Sequence, residues 1–391
     1  MIFTLEALQA NHGDSLLLHY GTKTNPQLIV IDGGPPAVFD MSLRPRLEQL
    51  QAKRCPSQSL PVRLMMVSHI DADHIGGILN LTDALIEQDN GPGPMLCDIT
   101  TLWHNSFNDL LGKKQGTAAV AAALTSAVRL SSAGDITFPP GLFSNTSSAA
   151  IAASVPQGKR LRENADVLSF EENEFFADLV SMAAGSKKPL KIDGSLKFWV
   201  LGPSQTRLDK LKKDWQKKLA ELKKKPAAEA RSLAAEFIDR SVYNLSSIIV
   251  LAELGKKRML LTGDALGTDI LAGLRETGLL KDGKTLSVDI LKLPHHGSRR
   301  NVTEELFSTV TADHYVISAN GRDDNPDIET LKMLSKIRGA SACTIHLTNP
   351  VPHAVAFFTK DMKKAGKNYK LKIRKDPALS IRINLGDPLT D

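Results

Sequence analysis

Three apolar runs in this chain each end in side chains of the types that bind metal ions. The run "VRLMMVSHI" leads into "DADHIGG", "RMLLTGDA" reaches Asp264, and "VDILKLPHHGS" reaches His295 and His296. Near-continuous apolar runs of this length are typical of strands buried on both faces. Ligands at the ends of such strands are held on a stiff sheet. The chain is therefore predicted to fold around β-sheets that bring these strand ends together.

The segment "SHIDADHIGG" (68–77) is the densest group of these side chains. His69, Asp71 and Asp73 alternate, so an extended segment turns them to one side. His74 follows where the chain turns. Two carboxylates and two imidazoles this close need a positive partner, and zinc, manganese and iron accept this mixture in open catalytic sites. The alternative is a solvated polar loop in which Asp73 caps the following helix.

Strands and helices alternate along the chain, but some neighbouring strands resemble hairpins. The runs at 246–254 and 258–263 are such a pair. This mixture predicts two mixed sheets covered by helices, an α+β or α/β sandwich, rather than one doubly wound parallel sheet. The runs "CTIHLTN" and "AVAFFT", near the end of the chain, are predicted as the strands that close the sheet.

No clear linker divides the sequence, and it contains no repeat of fixed period. We therefore expect a single domain over residues 1–391. Two helix-rich stretches, at about 107–195 and 205–238, are predicted as insertions that shape or cover a cleft.

The composition indicates the cellular compartment in which the protein is expected. Hydrophobic residues make up 42% of the chain and charged residues 24%, as in ordinary soluble globular proteins. No apolar run reaches the ~20 residues of a membrane-spanning helix, and the first residues do not resemble a signal peptide. The three cysteines are far apart, which favours a reducing compartment. We therefore expect a cytoplasmic protein with no membrane partner.

The net charge is +6, and the excess of Lys and Arg is greatest in the stretches 207–225 and 360–375. Such stretches suit a polyanion, and nucleic acid is the partner that they favour. Solvated faces of a helix and of a tail are the alternative, because lysine-rich faces are common.

Several short segments together resemble the metallo-β-lactamase fold superfamily, and within it the branch that includes the hydrolase domain of the competence protein ComEC. They follow the family's order from about residue 3 to 350, and an ordered set of this kind is specific. The resemblance implies a four-layer αββα sandwich with two divalent metal ions at one edge of its sheets. Zinc is the metal expected first, and manganese the second. The segments are "HGDSLLL" (12–18), "IDGG" (31–34), "SHIDADHIGG" (68–77), "NLSSIIVL" (244–251), "LLTGDA" (260–265), "LKLPHHGS" (291–298) and "ISANGRDDNPD" (317–327).

The resemblance also implies which residues hold each metal. His69 and Asp71 would serve the first metal, and aspartate at position 71 is the habit of this branch, where most of the superfamily has histidine. Asp73 and His74 would serve the second metal. Asp264 would bridge the two.

Other positions complete the pattern or depart from it. His295 would complete the second site, and Asp32 in "IDGG" would orient the loop that carries the ligands. The branch often has a histidine-proline pair after the "SAGRDN"-type turn, where this chain has Asn325 and Pro326. A leaving-group or phosphate contact from that position is therefore not expected.

The third histidine that the superfamily usually supplies to the first metal has no direct match. His104 in "LWHNS" is the candidate, as a ligand, a substrate contact or a catalytic group, and a strand-end surface histidine is its alternative role. Asn244 is the other residue expected in this neighbourhood, as a substrate contact.

These features predict a metal-dependent hydrolase, and a phosphodiesterase or nuclease is the form they favour. A water that bridges two cations ~3.5–4 Å apart loses its proton near neutral pH and attacks in line. Asp73 would hold a metal and orient this hydroxide. Either His295 or His296, with Ser298 and Arg299, would contact the phosphate or protonate the leaving oxygen. A helix cap and a surface charge are the alternative roles of Ser298 and Arg299.

Two other functions fit the same residues. The dinuclear site would equally serve the hydrolysis of an acyl bond in a lactone, thioester, β-lactam or peptide. The third possibility is a non-catalytic protein that binds nucleic acid or a partner through the stretch 205–238. It is expected only where metal ligands have been lost. The ligand-type residues are present, and the basic stretches favour a phosphodiester substrate.

Overall fold

The computed structural model describes residues 1–106, 129–130, 136–137, 146–183, 185–222 and 247–389. Two mixed β-sheets dominate these residues, one of seven strands and one of eight. A separate ribbon pairs β6 (Arg129–Leu130) with β7 (Ile136–Thr137). The predicted pair of mixed sheets covered by helices is confirmed.

The first sheet is antiparallel on one side and parallel on the other. In spatial order, its strands are β17 (Ser380–Asn384), β1 (Ile2–Leu8), β2 (Leu16–Gly21), β3 (Pro26–Ile31), β4 (Leu60–Met66), β5 (Cys97–Trp103) and β8 (Glu171–Glu172). Neighbours from β17 to β3 are antiparallel, and those from β3 to β8 are parallel. Every residue of β1 is buried, as expected of a strand covered on both faces.

The second sheet has the same division into an antiparallel and a parallel part. In spatial order, its strands are β16 (Lys370–Ile373), β15 (Thr344–Leu347), β14 (Val310–Ile317), β13 (Leu286–Lys292), β12 (Lys257–Leu261), β11 (Ile249–Leu254), β10 (Leu196–Gly202) and β9 (Leu190–Asp193). Neighbours from β9 to β12 are antiparallel, and those from β12 to β16 are parallel. The carboxyl ends of β12, β13 and β14 therefore lie side by side.

The helices follow strands in both halves of the chain. They are α1 (Pro36–Val38), α2 (Arg44–Arg54), α3 (Ala72–Asp89), α4 (Thr146–Val167), α5 (Gln205–Leu222), α6 (Gly267–Glu276), α7 (Glu304–Thr309), α8 (Ile328–Arg338) and α9 (Pro352–Asp361). A π-helical turn, Phe39–Leu43, joins α1 to α2. Of the described helices, none combines the length and the apolar character needed to cross a bilayer.

The two sheets pack against each other through one apolar cluster. Leu5 and Leu18 of the first sheet belong to it together with Val250 and Ile290 of the second. Burial of such side chains contributes roughly 25 cal/mol per Å² of apolar surface removed from water. The central core therefore lies between the sheets.

Helices cover the outer face of each sheet. Ile78 of α3 and Leu161 of α4 pack in a cluster with the first sheet. Leu271 of α6 and Leu331 of α8 pack in a separate cluster with the second. The outer clusters explain why strands such as β3 have apolar residues on both faces, with Ile29 and Ile31 in the central cluster and Leu28 and Val30 in the outer one.

One predicted strand near the end of the chain is wrong. The run "AVAFFT" lies within helix α9, whereas "CTIHLTN" contains β15 as predicted. The helix begins at Pro352, and its buried residues Ala354 and Phe358 are one turn apart. Periodicity cannot separate a strand from a helix in so short an apolar run.

The stretches predicted as helical insertions contain both helices and strands. Within 107–195, α4 packs on α3, while β8 and β9 are edge strands of the two sheets. Within 205–238, α5 is described, and residues 223–238 lie outside the described residues.

Candidate metal centre

The three predicted ligand segments meet where strands of the two sheets end. His69 follows β4 of the first sheet, and Asp264 follows β12 of the second. The tight turn Pro294–Gly297 follows β13. The amide of His295 donates to the carbonyl of Gly263 over 3.1 Å, which joins the two segments of the second sheet.

Asp264 lies among three imidazole rings. Its Oδ1 is 3.1 Å from Nε2 of His74, a residue in the first turn of helix α3. The same oxygen is 3.8 Å from Nε2 of His296, and Oδ2 is 3.6 Å from Nε2 of His295. Asp264, His74 and His296 are buried. The carboxylate therefore connects ligand-type groups from both sheets.

Two further carboxylates extend this cluster. Nε2 of His296 is 3.2 Å from Oδ2 of Asp73, and Nε2 of His69 is 3.2 Å from Oδ2 of Asp71. The His69 and His74 ring centroids are 5.8 Å apart, and those of His74 and His296 are 5.5 Å apart. The imidazoles thus form a continuous row in which carboxylates alternate with rings.

The ring orientations of two histidines are set from behind by hydrogen bonds at Nδ1. Nδ1 of His296 is 3.0 Å from the carbonyl of Ser318, which can only accept, so this nitrogen carries the proton in the neutral ring. Nδ1 of His74 is 3.0 Å from Oδ2 of Asp32. Asp32 is itself held by the amide of Ser68, which donates to Oδ1 over 2.7 Å.

His295 is oriented in the same way. Its Nδ1 is 2.9 Å from Oδ1 of Asn301, whose side-chain amide donates to the backbone carbonyl of Asp264 over 2.7 Å. All three rings therefore direct the Nε2 lone pair of their neutral form toward the carboxylates. Metal-binding histidines are oriented by this kind of outer contact.

The electrostatics show that the cluster attracts positive charge. Burial alone would raise the pKa of Asp264, but the charges of His295, His74 and His296 hold it well below its usual range. Burial opposes protonation of His296, yet the charges of Asp264 and Asp14 raise its pKa to about 9. Protons supply the balancing charge in the metal-free protein, and bound cations would replace them.

Several buried polar atoms of the cluster have no hydrogen-bond partner among the described residues. Both ring nitrogens of His69, Oδ1 of Asp71, and Nε2 of His74 and of His296 make no hydrogen bond of acceptable geometry within the described part of the chain. Buried polar atoms are normally satisfied. Asp73, His74 and His296 also offer one ligand atom each, all within 4.8 Å of one another. This donor set fits a divalent metal such as zinc or manganese.

Two buried residues beside the cluster, Asp14 and Lys292, were not predicted from the sequence to belong to the site. Asp14 lies in the quoted segment "HGDSLLL", and Lys292 interrupts the apolar run of β13. The ammonium of Lys292 contacts Oδ2 of Asp14 and lies 3.4 Å from the Gly263 carbonyl. Oδ1 of Asp14 is 3.5 Å from Nδ1 of His296. The sequence offered one signal for this pair, namely a lysine at the end of an apolar run, shortly before two histidines.

Asp14 also belongs to a second group of ligand-type atoms, with Asp32 and His74. These atoms already have partners, because Lys292 contacts Asp14 while Ser68 and His74 bind Asp32. The charge that this group needs is supplied by the lysine ammonium. We therefore assign it to support of the rings and not to metal binding.

The turn Pro294–Gly297 has an unusual backbone that aims its two histidines. His295 and His296 have φ of 48° and 56°, the left-handed region that few non-glycine residues adopt. Gly297 has φ of 86°, and a Cβ on it would lie 2.7 Å from Cβ of Pro326. Such conformations persist where surrounding contacts impose them, and they are concentrated at functional sites.

The structure gives Ser298 and Arg299 local contacts. Ser298 is buried, and its amide donates to the His295 carbonyl over 2.8 Å. Its hydroxyl oxygen accepts from the amide of Arg300 over 3.4 Å. The Arg299 amide donates to Oδ2 of Asp327, and its residue is exposed. These contacts shape the turn, and the substrate roles of both residues stay predictions.

His104 is buried at the end of β5. Its backbone pairs with the side-chain amide of Asn173 through bonds of 2.8 and 3.0 Å. Its ring faces α4, since a Cβ on Gly158 would lie 3.4 Å from Nε2. The alternative of a surface histidine is thereby wrong, and its role at the first metal stays a prediction. Asn244 lies outside the described residues.

Part of the predicted basic surface serves the fold. In the stretch 360–375, Arg374 is buried and donates to the Thr348 carbonyl over 2.8 Å, and Lys367 donates to the Ser335 carbonyl over 2.8 Å. The stretch 207–225 is described as far as residue 222, and its Arg207 pairs with Asp269. The exposed lysines of the later stretch are Lys360, Lys363, Lys364, Lys370, Lys372 and Lys375.

The chain matches no protein-family model, and a search of curated proteins found no match. The functional proposal therefore rests on the side chains that this structure brings together.

Proposed function

We propose that the chain is a metal-dependent hydrolase of the metallo-β-lactamase fold superfamily, in its ComEC-like branch, and that it cleaves phosphodiester bonds in nucleic acid or nucleotides. The observation that carries the proposal is the meeting of His74, His295 and His296 around the buried carboxylate of Asp264. Strongly perturbed titratable groups are concentrated at functional sites. The two face-to-face mixed sheets with helices outside support the family assignment.

The proposed cofactors are two divalent cations, with zinc preferred and manganese second. The donors divide into two sides that share Asp264. His69 and Asp71 form one side, and Asp73, His74, His295 and His296 form the other. When bound, such cations supply Lewis acidity and lower the pKa of a water. Nε2 of His296 lies 3.2 Å from Oδ2 of Asp73, and this short distance supports His296 as a metal ligand beside His295.

The chain's own residues orient the site and open it to solvent on one side. Asp32, Ser318 and Asn301 hold the Nδ1 atoms, so the Nε2 atoms face inward. The Asp73 side chain is 24% exposed, whereas that of Asp264 is 3% exposed. A substrate would therefore approach along the Asp73 side.

The phosphodiester is favoured over an acyl substrate by charge. The chain carries a net charge of +6, and exposed lysines remain in the stretch 360–375 after its structural contacts are subtracted. An anionic substrate gains from such a surface, and its binding weakens steeply with added salt. Acyl hydrolysis at the same site is the second candidate, and a non-catalytic binding protein is the third.

The test combines metal analysis with a phosphodiester assay. Purified protein is analysed for bound metal, then assayed with bis(p-nitrophenyl) phosphate and with single-stranded and double-stranded DNA. Asp264→Ala is expected to lose both metal and activity. Asp282→Ala, at an exposed aspartate in a turn, is the matched control and is expected to keep both. Absence of copurifying metal, together with unchanged activity in His69→Ala, refutes the proposal.

A further inference from the structure

Two loops border the solvent-exposed Asp73 side of the cluster. The loop between β1 and β2 is held there by the amide of Asp14, which donates to the Asp73 carbonyl over 3.1 Å. Gly13 lies so close that a Cβ on it would be 1.9 Å from the same oxygen. The loop after β14 is tied to the first by the Ser318 hydroxyl, which donates to the Gly13 carbonyl over 2.7 Å. Both loops are therefore positioned by the candidate metal centre.

Each loop presents one basic side chain at this rim. Nη1 of Arg322, from the later loop, donates to Nε2 of His12 over 2.9 Å. Arg322 is exposed and His12 is half-buried. Burial lowers the pKa of His12, and the nearby charges that act on it include those of Asp73, Arg322 and His296. His12 therefore lies close to the candidate ligands.

A surface ion pair does not account for Arg322. Its Nε lies 3.7 Å from Oδ2 of Asp323, but these side chains are 55% and 72% exposed. Exposed pairs of this kind contribute little to stability. The turn that carries Arg322 is held in left-handed conformations, with φ of 92° at Gly321, 53° at Asp323 and 60° at Asp324. The backbone thus presents the guanidinium beside the imidazole of His12.

We propose that Arg322 and His12 form a subsite for a phosphoryl group of the substrate. A guanidinium offers parallel N–H donors that match two phosphoryl oxygens. Nη1 of Arg322 also lies 3.4 Å from Nδ1 of His12, so the imidazole holds the guanidinium in place at the rim. This inference rests on the proposed function, since it names the chemical class that the same cleft recognises.

The test uses Arg322→Gln and His12→Gln in the metal-loaded, full-length protein. For bis(p-nitrophenyl) phosphate, KM is expected to rise about tenfold to a hundredfold in Arg322→Gln, with a smaller rise in His12→Gln. Arg322→Lys is expected to recover part of the loss, because it restores charge but not paired donors. Arg275→Gln, at an exposed arginine paired with Glu305, is the matched control with unchanged KM.

A second arm measures binding of inorganic phosphate by calorimetry. If wild type cleaves the diester and Arg322→Gln has the wild-type KM and phosphate affinity, the subsite is refuted while the proposed function stands. If wild type cleaves no diester but binds phosphate in a manner that depends on Arg322, the subsite stands and the proposed function fails. If wild type shows neither activity nor phosphate binding, both fail.

Discussion

Replacement of Lys292 by methionine tests how much the ion pair behind the cluster stabilises the protein. Lys292 and Asp14 are each 1% exposed, and the ammonium contacts the Asp14 carboxylate. Burial would raise the pKa of Asp14, but the charges of Lys292 and His296 lower it to about 2. In Lys292→Met the apolar stem is kept and only the charge is lost. Asp14 would then be buried with only two imidazoles nearby among the described residues, those of His296 at 3.5 Å and His74 at 4.0 Å.

The expected cost follows from the burial of both groups. Removal of one member of a buried ion pair typically destabilises a protein by about 3–5 kcal/mol, because the other charge remains without solvent. Total stabilities are about 5–15 kcal/mol, so the loss would be a large fraction. The double variant Asp14→Asn/Lys292→Met buries no charge at this pair, and we expect it to be more stable than Lys292→Met by about 2 kcal/mol or more.

The assay is urea denaturation at pH 7, followed by the fluorescence of buried Trp103. Lys372→Met, at an exposed lysine of β16, is the matched control and should change the free energy of unfolding by less than about 0.5 kcal/mol. A Lys292→Met variant as stable as this control would refute the reasoning. So would a double variant less stable than the single one.

Three further predictions follow from other contacts. Gly13→Ala should destabilise the protein and weaken zinc binding, measured by calorimetry, since its Cβ would meet the Asp73 carbonyl at 1.9 Å; Gly91→Ala, with 3.4 Å to its nearest contact, should do neither. Burial lowers the pKa of His346 from 6.5 to about 3, so the unfolded chain binds a proton between these values that the native state does not. His346 therefore lowers the free energy of unfolding as the pH decreases below 6.5, by about 2 kcal/mol at pH 5. Urea denaturation of His346→Gln should show a flatter pH dependence. Tyr369→Phe removes the hydroxyl that donates to Asp361 over 2.7 Å, and thermal unfolding should show a loss of about 1–3 kcal/mol. An unchanged midpoint would count against that last contact.

The strand ends of the candidate site could be predicted because their signal is local. Apolar runs that stop at His69, Asp264 and the pair His295–His296 are visible in a few residues each, and β4, β12 and β13 each end three residues before these points. The misplaced strand "AVAFFT" shows the limit of the same signal. Five consecutive apolar residues suit either a strand or one buried helix face, and packing against the second sheet decided for α9.

The supporting residues could not be predicted, because each depends on a partner far away in the chain. Asp14 meets Lys292, and Ser318 accepts from His296 while it donates to Gly13. No local pattern marks such pairs, since their geometry exists only after both sheets have packed.

The chemical character of the site was determined by sequence, because side-chain type decides which atoms can bind a cation or a proton. Imidazoles and carboxylates at strand ends were sufficient to predict that these groups meet between two mixed sheets, and their binding of a metal stays a prediction. Tertiary structure alone decided that His296 lies 3.2 Å from Asp73, that a buried lysine balances Asp14, and that Arg322 contacts His12. These are distances between distant segments, and they follow from how the sheets pack face to face, which no short stretch of residues encodes.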